Sequence, residues 1–210
     1  MFVWIDDIAD VNKLKIYRGE HKGINGIAVF DLDKQNRPFL EKRWAENGSV
    51  FTAFMMNPSK AAHDDSDPTV DQLINVAKKK GCNALNVVNV SSLIEGNSKN
   101  LNDTQFRYNQ VNWEFVSNTM KRSKYVFLGW GVKGQLGVLD QLKTRPSIKQ
   151  TFETEKEKLY AYEVLNSTDQ KYKHLNLYYA PHPRPQGDLK RYIEAPIVQI
   201  ENLDFEKLFK

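Results

Sequence analysis

A chain of 210 residues, 40% hydrophobic and 27% charged, is long enough to bury a core without disulfides or a structural metal, and its composition excludes collagen-like, low-complexity and disordered classes. The formal net charge of +4 is unevenly spread: residues 1–75 hold nine Lys+Arg against twelve Asp+Glu, and residues 76–210 hold 21 against 14. A basic C-terminal two-thirds suits a polyanionic partner such as nucleic acid, and it equally serves solubility.

No run approaches the roughly 18 apolar residues of a membrane helix. Met1-Phe2-Val3-Trp4-Ile5-Asp6-Asp7 lacks the basic leader and long apolar stretch of a secretory signal. Cys82 is the one cysteine, so neither a disulfide framework nor a self-contained cysteine metal or iron–sulfur site can be built. These features predict a cytoplasmic protein of one domain over 1–210, with an N-terminal antiparallel layer over 1–48, an α/β core over 49–200 and no membrane partner.

In chain order, Lys13-Leu14-Lys15-Ile16-Tyr17 alternates polar and apolar as a half-buried strand does. Ile24 to Asp33 and Phe39 to Glu46 read as two further strands, with Asp33-Lys34-Gln35-Asn36-Arg37 as the hairpin loop between them. From residue 50 the grammar changes. Val50 to Met56, Ala84 to Val90, Tyr125 to Leu128 and Leu175 to Ala180 are nearly continuous apolar runs, the mark of strands covered on both faces. Between them Val70, Leu73, Ile74 and Ala77 form a helical stripe with Asp67 as its cap, Pro68 in its first turn, Lys78-Lys79-Lys80 in its last and Gly81 after it. A second helix is predicted from about Asp103 to Lys121 and a third over roughly Lys133 to Lys143, while Arg145 to Lys158 reads as either a helix or a solvated insertion.

Strand alternating with helix is the pattern of right-handed βαβ units, and it predicts a three-layer α/β fold around a central, mainly parallel sheet of about four strands. Ligands of such sheets bind beyond the carboxyl ends of the strands, so the residues leaving each strand are the site candidates. Asn57-Pro58-Ser59 leaves the first; the proline holds Asn57 extended, and its amide offers donors and an acceptor to a water or a polar edge. The competing reading is an ordinary turn. Asn89 ends the second strand as a buried amide that must find partners, in a site or in the core. Trp130, between Gly129 and Gly131 at the third, either stacks on a base or packs in the core. At the fourth, Pro181 and Pro183 fix the backbone on both sides of His182, a candidate electrophile or acid–base group, unless the segment is simply a proline-rich loop. Arg184, Lys190 and Arg191 follow as candidate phosphate contacts. His63, Asp64 and Asp65 are candidate ligands for a divalent ion, and with Asp67 they also make an acidic lead-in to a helix.

Asn57-Pro58-Ser59-Lys60-Ala61, Asp65-Ser66-Asp67-Pro68-Thr69, Val87-Val88-Asn89, Trp130-Gly131 and His182-Pro183 occur in the order of a pattern carried by short bacterial and phage proteins known only as a domain of unknown function. The chain resembles that family over about residues 50–192, with Ser66 where the family's acidic motif has its first Asp. More remotely, the same order is similar to the uracil-DNA glycosylase superfamily. That resemblance implies that Asn57 positions the attacking water, Asn89 reads the base edge and His182 stabilises the departing base anion, with no cofactor and no metal. Arg184-Pro185 stands where that superfamily's late loop has Ser-Pro, and Leu189 is the one candidate for its apolar wedge.

The expectation is a nucleobase- or nucleotide-binding protein, with catalytic Asn57 and His182 and with Pro58, Ser59, Asn89, Trp130, Arg184, Lys190 and Arg191 in substrate binding. The reaction expected of it is hydrolysis of the N-glycosidic bond of a modified or damaged base in nucleic acid. One alternative is a binder of nucleic acid or nucleotide that keeps this fold without the chemistry. The other is a metal-dependent hydrolase built on His63, Asp64 and Asp65.

Overall fold

A computed structural model describes residues 3–210. Helix α1 (Val3–Val11) precedes an antiparallel meander of β1 (Lys15–His21), β2 (Ile24–Phe30) and β3 (Phe39–Arg43). The alternating part follows: β4 (Val50–Met55), α2 (Pro68–Lys79), β5 (Ala84–Asn89), α3 (Gln110–Arg122), β6 (Tyr125–Gly129), α4 (Gly131–Thr144), α5 (Ser147–Thr154) and β7 (Leu159–Ala161). Short strands β8 (Leu165–Asn166), β9 (Tyr178–Tyr179) and β10 (Val198–Gln199) and helix α6 (Asn202–Leu208) complete the chain.

The protein is a mixed α/β structure. Strands β5, β4, β6 and β7 are parallel neighbours, with β4 between β5 and β6. Met55 lies opposite Asn89 on one side and Gly129 on the other, so three parallel strands finish level at one rim. Alternation sends Phe54, Val88 and Leu128 into one core and Ala53, Val87 and Phe127 into the other. The first core is covered by Ile5, Phe115, Val138, Phe152 and Phe205 from α1, α3, α4, α5 and α6. The second is covered chiefly by Val70, Leu73, Ile74 and Ala77 of α2.

Helix α2 has the limits its sequence predicts. Asp67 accepts the Thr69 and Val70 N–H groups at 2.8 and 2.9 Å, a cap worth about 1 kcal/mol. Gly81 follows at φ +70°, the left-handed geometry that a β-carbon resists.

Four expectations need correction. First, the N-terminal strands are not a separate layer. Strand β3 pairs antiparallel with β5, giving one eight-stranded sheet in the order β1-β2-β3-β5-β4-β6-β7-β10. Phe39 faces one core and Leu40 the other, so β3 is a central strand buried on both faces. Second, the fourth parallel strand is β7, just after the charged segment of ambiguous reading; α5 occupies part of that segment. Third, Leu175 to Ala180 yields only β9, paired with β8 in a separate ribbon, because Asn176 turns left-handed at φ +47° and interrupts the run. Fourth, the helix from 103 to 121 is two elements, a 3-10 turn (Asp103–Phe106) and α3. Asn102 and Asn109 each start a new element by accepting backbone N–H groups, at Thr104 and Asn112. No helix among the described residues is long and apolar enough to cross a membrane.

Candidate functional site

Where β4, β5 and β6 finish level, the segments that leave them surround a cavity of about 750 Å³. Asn57, Ser59, Asn89, Trp130, His182, Arg184 and Arg191 all line it; Pro58 and Lys190 do not. A volume of this size matches the usual pocket for a small organic ligand.

Asn57 is held by its amide nitrogen. Nδ2 donates to the Pro58 carbonyl at 2.9 Å and the Glu95 carbonyl at 2.8 Å. Two carbonyls fix which end of the amide carries nitrogen, so Oδ1 is the end left to accept from a ligand or water. Pro58 therefore supports the site through its backbone, and its carbonyl also accepts the Glu95 N–H at 3.0 Å.

Asn89 is 1% exposed, and neither Nδ2 nor Oδ1 of its side chain has a partner among the described residues. Its backbone is satisfied: Asn112 Nδ2 donates to the Asn89 carbonyl at 2.9 Å. Leaving both ends of a buried amide unpaired costs about 1–3 kcal/mol per group. A ligand presenting one acceptor and one donor along an edge would recover that loss. Asn86, three residues earlier, does not line the cavity.

His182 reaches the rim from the ribbon. Gly131 N–H donates to the Ala180 carbonyl at 2.9 Å, which ties the His182 segment to the end of β6. Gly131 itself sits at φ +64°, with its β-carbon position 3.7 Å from His182 Cβ. Arg184 offers both its backbone N–H, at 3.1 Å, and its carbonyl, at 3.2 Å, to His182 Nδ1. That nitrogen is engaged in either protonation state, and Nε2 remains for a ligand. Burial pushes the imidazole below its ordinary pKa, so the ring is neutral at pH 7. A neutral ring that accepts the Arg184 N–H carries its proton on Nε2.

Trp130 contributes to the wall, but its indole belongs to the core. It is 0% exposed, meets Phe54, Phe152 and Phe209 edge-on, and its Nε1 donates to Gln135 at 2.8 Å. A ring so enclosed has no face for a stacked base. Arg191 is paired with Glu163 at 2.8 Å and lies over the Tyr192 ring, and Tyr192 also donates to Glu163. His63, Asp64 and Asp65 lie outside the cavity lining. His63 packs under β1 and β2, where a β-carbon on Gly26 would meet its carbonyl oxygen at 1.9 Å. Among the described residues no three His, Cys, Asp or Glu side chains are grouped to hold a metal ion.

Among the lining residues that the sequence reading does not single out, Glu95 and Arg37 carry chemistry. Glu95 is a carboxylate on the wall, held below its ordinary range by the Asn97 N–H and the Asn100 amide. Arg37, in the predicted hairpin loop, is 2% exposed and lines the cavity. The strand-end rule points to the exits of parallel strands. Arg37 instead precedes an antiparallel neighbour, whose start lies beside the exit of β5: Leu40 is opposite Val87, and Arg37 N–H donates to the Ser92 carbonyl at 2.8 Å.

No curated protein matches the chain. A family model described as a protein of unknown function, DUF1643, matches residues 37–175. The match starts at Arg37, takes in β3 to β7 with Asn57, Asn89 and Trp130, and stops before His182. The chain is a member of the DUF1643 family.

Proposed function

We propose that the cavity binds the base of a nucleotide, free or in nucleic acid, and hydrolyses the N-glycosidic bond that joins a modified or damaged base to its sugar, in an arrangement like that of the uracil-DNA glycosylases. The observation that carries this reading is Asn89, a buried amide on the cavity wall with both polar ends unpartnered. Its neighbouring acceptor and donor match the paired donor and acceptor of a pyrimidine or purine edge.

Asn57 Oδ1 holds the water, because Nδ2 is already committed to Pro58 and Glu95. The water oxygen bonds to the sugar carbon as that carbon's bond to the base breaks, through an oxocarbenium-like state. The bonding pair leaves with the base, and the neutral imidazole of His182 donates Nε2–H to the resulting anion. The water releases the proton that the base finally gains, so none is consumed. No metal takes part in this scheme.

A base-release assay over a panel of modified oligonucleotides and nucleotides tests it. Wild type should release at least one base, and His182→Ala should lower the rate by about 10²-fold. Equal release by both proteins would refute the role of His182. One observation favours a second reading, binding without turnover: the Asn57 amide cannot accept a proton, and both carboxylate oxygens of Glu95 already accept hydrogen bonds. That reading predicts tight binding, weakened by Asn89→Ala, with no release of any base.

A further inference from the structure

We propose that Arg37 forms an anion subsite in this cavity that takes the terminal phosphate of a free nucleoside monophosphate. The inference rests on the nucleobase reading and narrows its substrate class, strand or free nucleotide, to a free nucleoside monophosphate.

Arg37 is 2% exposed, yet neither Nε nor Nη1 has a hydrogen-bond partner among the described residues. No carboxylate there lies within salt-bridge distance of it. Asp67 is the acid whose field reaches the guanidinium, and its oxygens are committed to Thr69, Val70 and Ser59. Burial lowers the Arg37 pKa to about 10, which still leaves it charged at neutral pH. A buried cation with free donors and no counter-ion is among the costliest groups a fold can hold. A bound oxyanion removes that cost, and the guanidinium fork is suited to phosphate.

The position is built rather than incidental. Pro38 restricts Arg37 to extended backbone, and Asn36 bridges to Leu93 while Arg37 N–H is fixed on Ser92. The Arg37 backbone therefore stays against the exit of β5, and its side chain lines the same cavity as Asn89. The helix N-terminus nearby offers no rival site, since Asp67 already accepts its free N–H groups. With Arg191 paired to Glu163, the wall carries Arg37, Lys133 and Arg184 against Glu95 and Asp169, a net positive charge. A terminal phosphate can end at a buried residue. A phosphodiester would have to continue past it, and at 2% exposure there is no outlet at Arg37 itself.

Calorimetric titration of the full chain tests this, using inorganic phosphate, the common nucleosides, their 5′-monophosphates and a 15-nucleotide single strand. At least one monophosphate should bind 30-fold or more tightly than its nucleoside, by the usual strength of a buried charge-assisted contact. Arg37→Met should reduce that ratio to below about 3-fold and Arg37→Lys should keep part of it, whereas Asn89→Ala should weaken nucleoside and monophosphate alike. If Arg37→Met does not fold, Arg37→Lys and the wild-type ratio decide. Equal binding of nucleoside and monophosphate, or a preference that Arg37→Met leaves intact, would overturn the proposal. So would tighter binding of the single strand with no dependence on Arg37. Binding of phosphate that depends on Arg37, with no ligand dependent on Asn89, would keep the anion subsite and overturn the nucleobase reading instead.

Discussion

Glu95 holds Asn57 by its backbone, not by its carboxylate: Asn57 Nδ2 donates to the Glu95 carbonyl at 2.8 Å. With the Pro58 carbonyl at 2.9 Å, this makes position 57 a site for an amide and a poor site for an acid.

Asn57→Asp therefore should not supply a missing general base. It places carboxylate oxygens against two carbonyl oxygens and removes two donors. The expected loss of stability is about 2–4 kcal/mol at pH 7, read by urea unfolding. The deficit should shrink at pH 5, because repulsion by the carbonyls raises the new carboxyl's pKa and its protonated form regains one donor. An Asn57→Asp variant as stable as wild type at pH 7 would contradict this account of the amide.

His182 should make the fold acid-sensitive. Its folded pKa is lowered by burial, so the unfolded chain binds the proton first as pH falls. Stability from the neutral ring is complete above the unfolded value of about 6.5 and is lost as pH falls through the lower folded value. Thermal melts at pH 7.5, 6 and 5 should show a smaller acid-induced fall for His182→Gln than for wild type. Parallel pH profiles for the two proteins would remove the basis for this effect.

Gln141 should behave as a structural keystone behind the site. It accepts from Trp113 Nε1 at 2.6 Å and donates to the carbonyls of Phe106 at 2.5 Å and Val90 at 3.3 Å, joining α3, α4 and the exit of β5. Gln141→Leu leaves a buried indole N–H and a buried carbonyl unpaired and should cost about 2–4 kcal/mol. Differential scanning calorimetry would detect this as a fall in Tm of roughly 4–16 °C for a chain of this size.

Gly134→Ala should destabilise although it places a better helix former in α4. The new methyl would lie 2.5 Å from Trp130 Cβ. The propensity gain is about 1 kcal/mol, and forcing apart a packed tryptophan costs about 1–3 kcal/mol. The net expectation is a lower Tm, and an unchanged or higher Tm would mean that Trp130 yields easily.

The sequence makes some parts of the structure legible because their signals are local. Asp67, Pro68, Lys79 and Gly81 mark both ends of α2 within a single helix, and the runs of β4, β5 and β6 are apolar because two cores cover them. Asn57 and Asn89 could be nominated because ligands of parallel sheets bind where the strands end, and His182 because Pro181 and Pro183 flank it, although the run before it forms β9 of the ribbon rather than a strand of the main sheet. Other parts depend on distant contacts. β7 has three residues and lies beside a charged stretch, so nothing short of its pairing with β6 identifies it. The burial of Arg37 is equally invisible, because it follows from β3 pairing antiparallel with β5 rather than from its own neighbours in the chain. The indole of Trp130 had two readings, and only the rings around it decide between them.

Because β3 is hydrogen-bonded along β5, the first 48 residues complete the same sheet that carries the pocket. A shortened chain starting at residue 49 would lose Arg37 and leave β5 with a bare row of N–H and C=O groups along its flank. Such an unprotected flank recruits strands from other molecules. N-terminal trimming, whether by proteolysis or by design, should therefore raise the protein's tendency to self-associate.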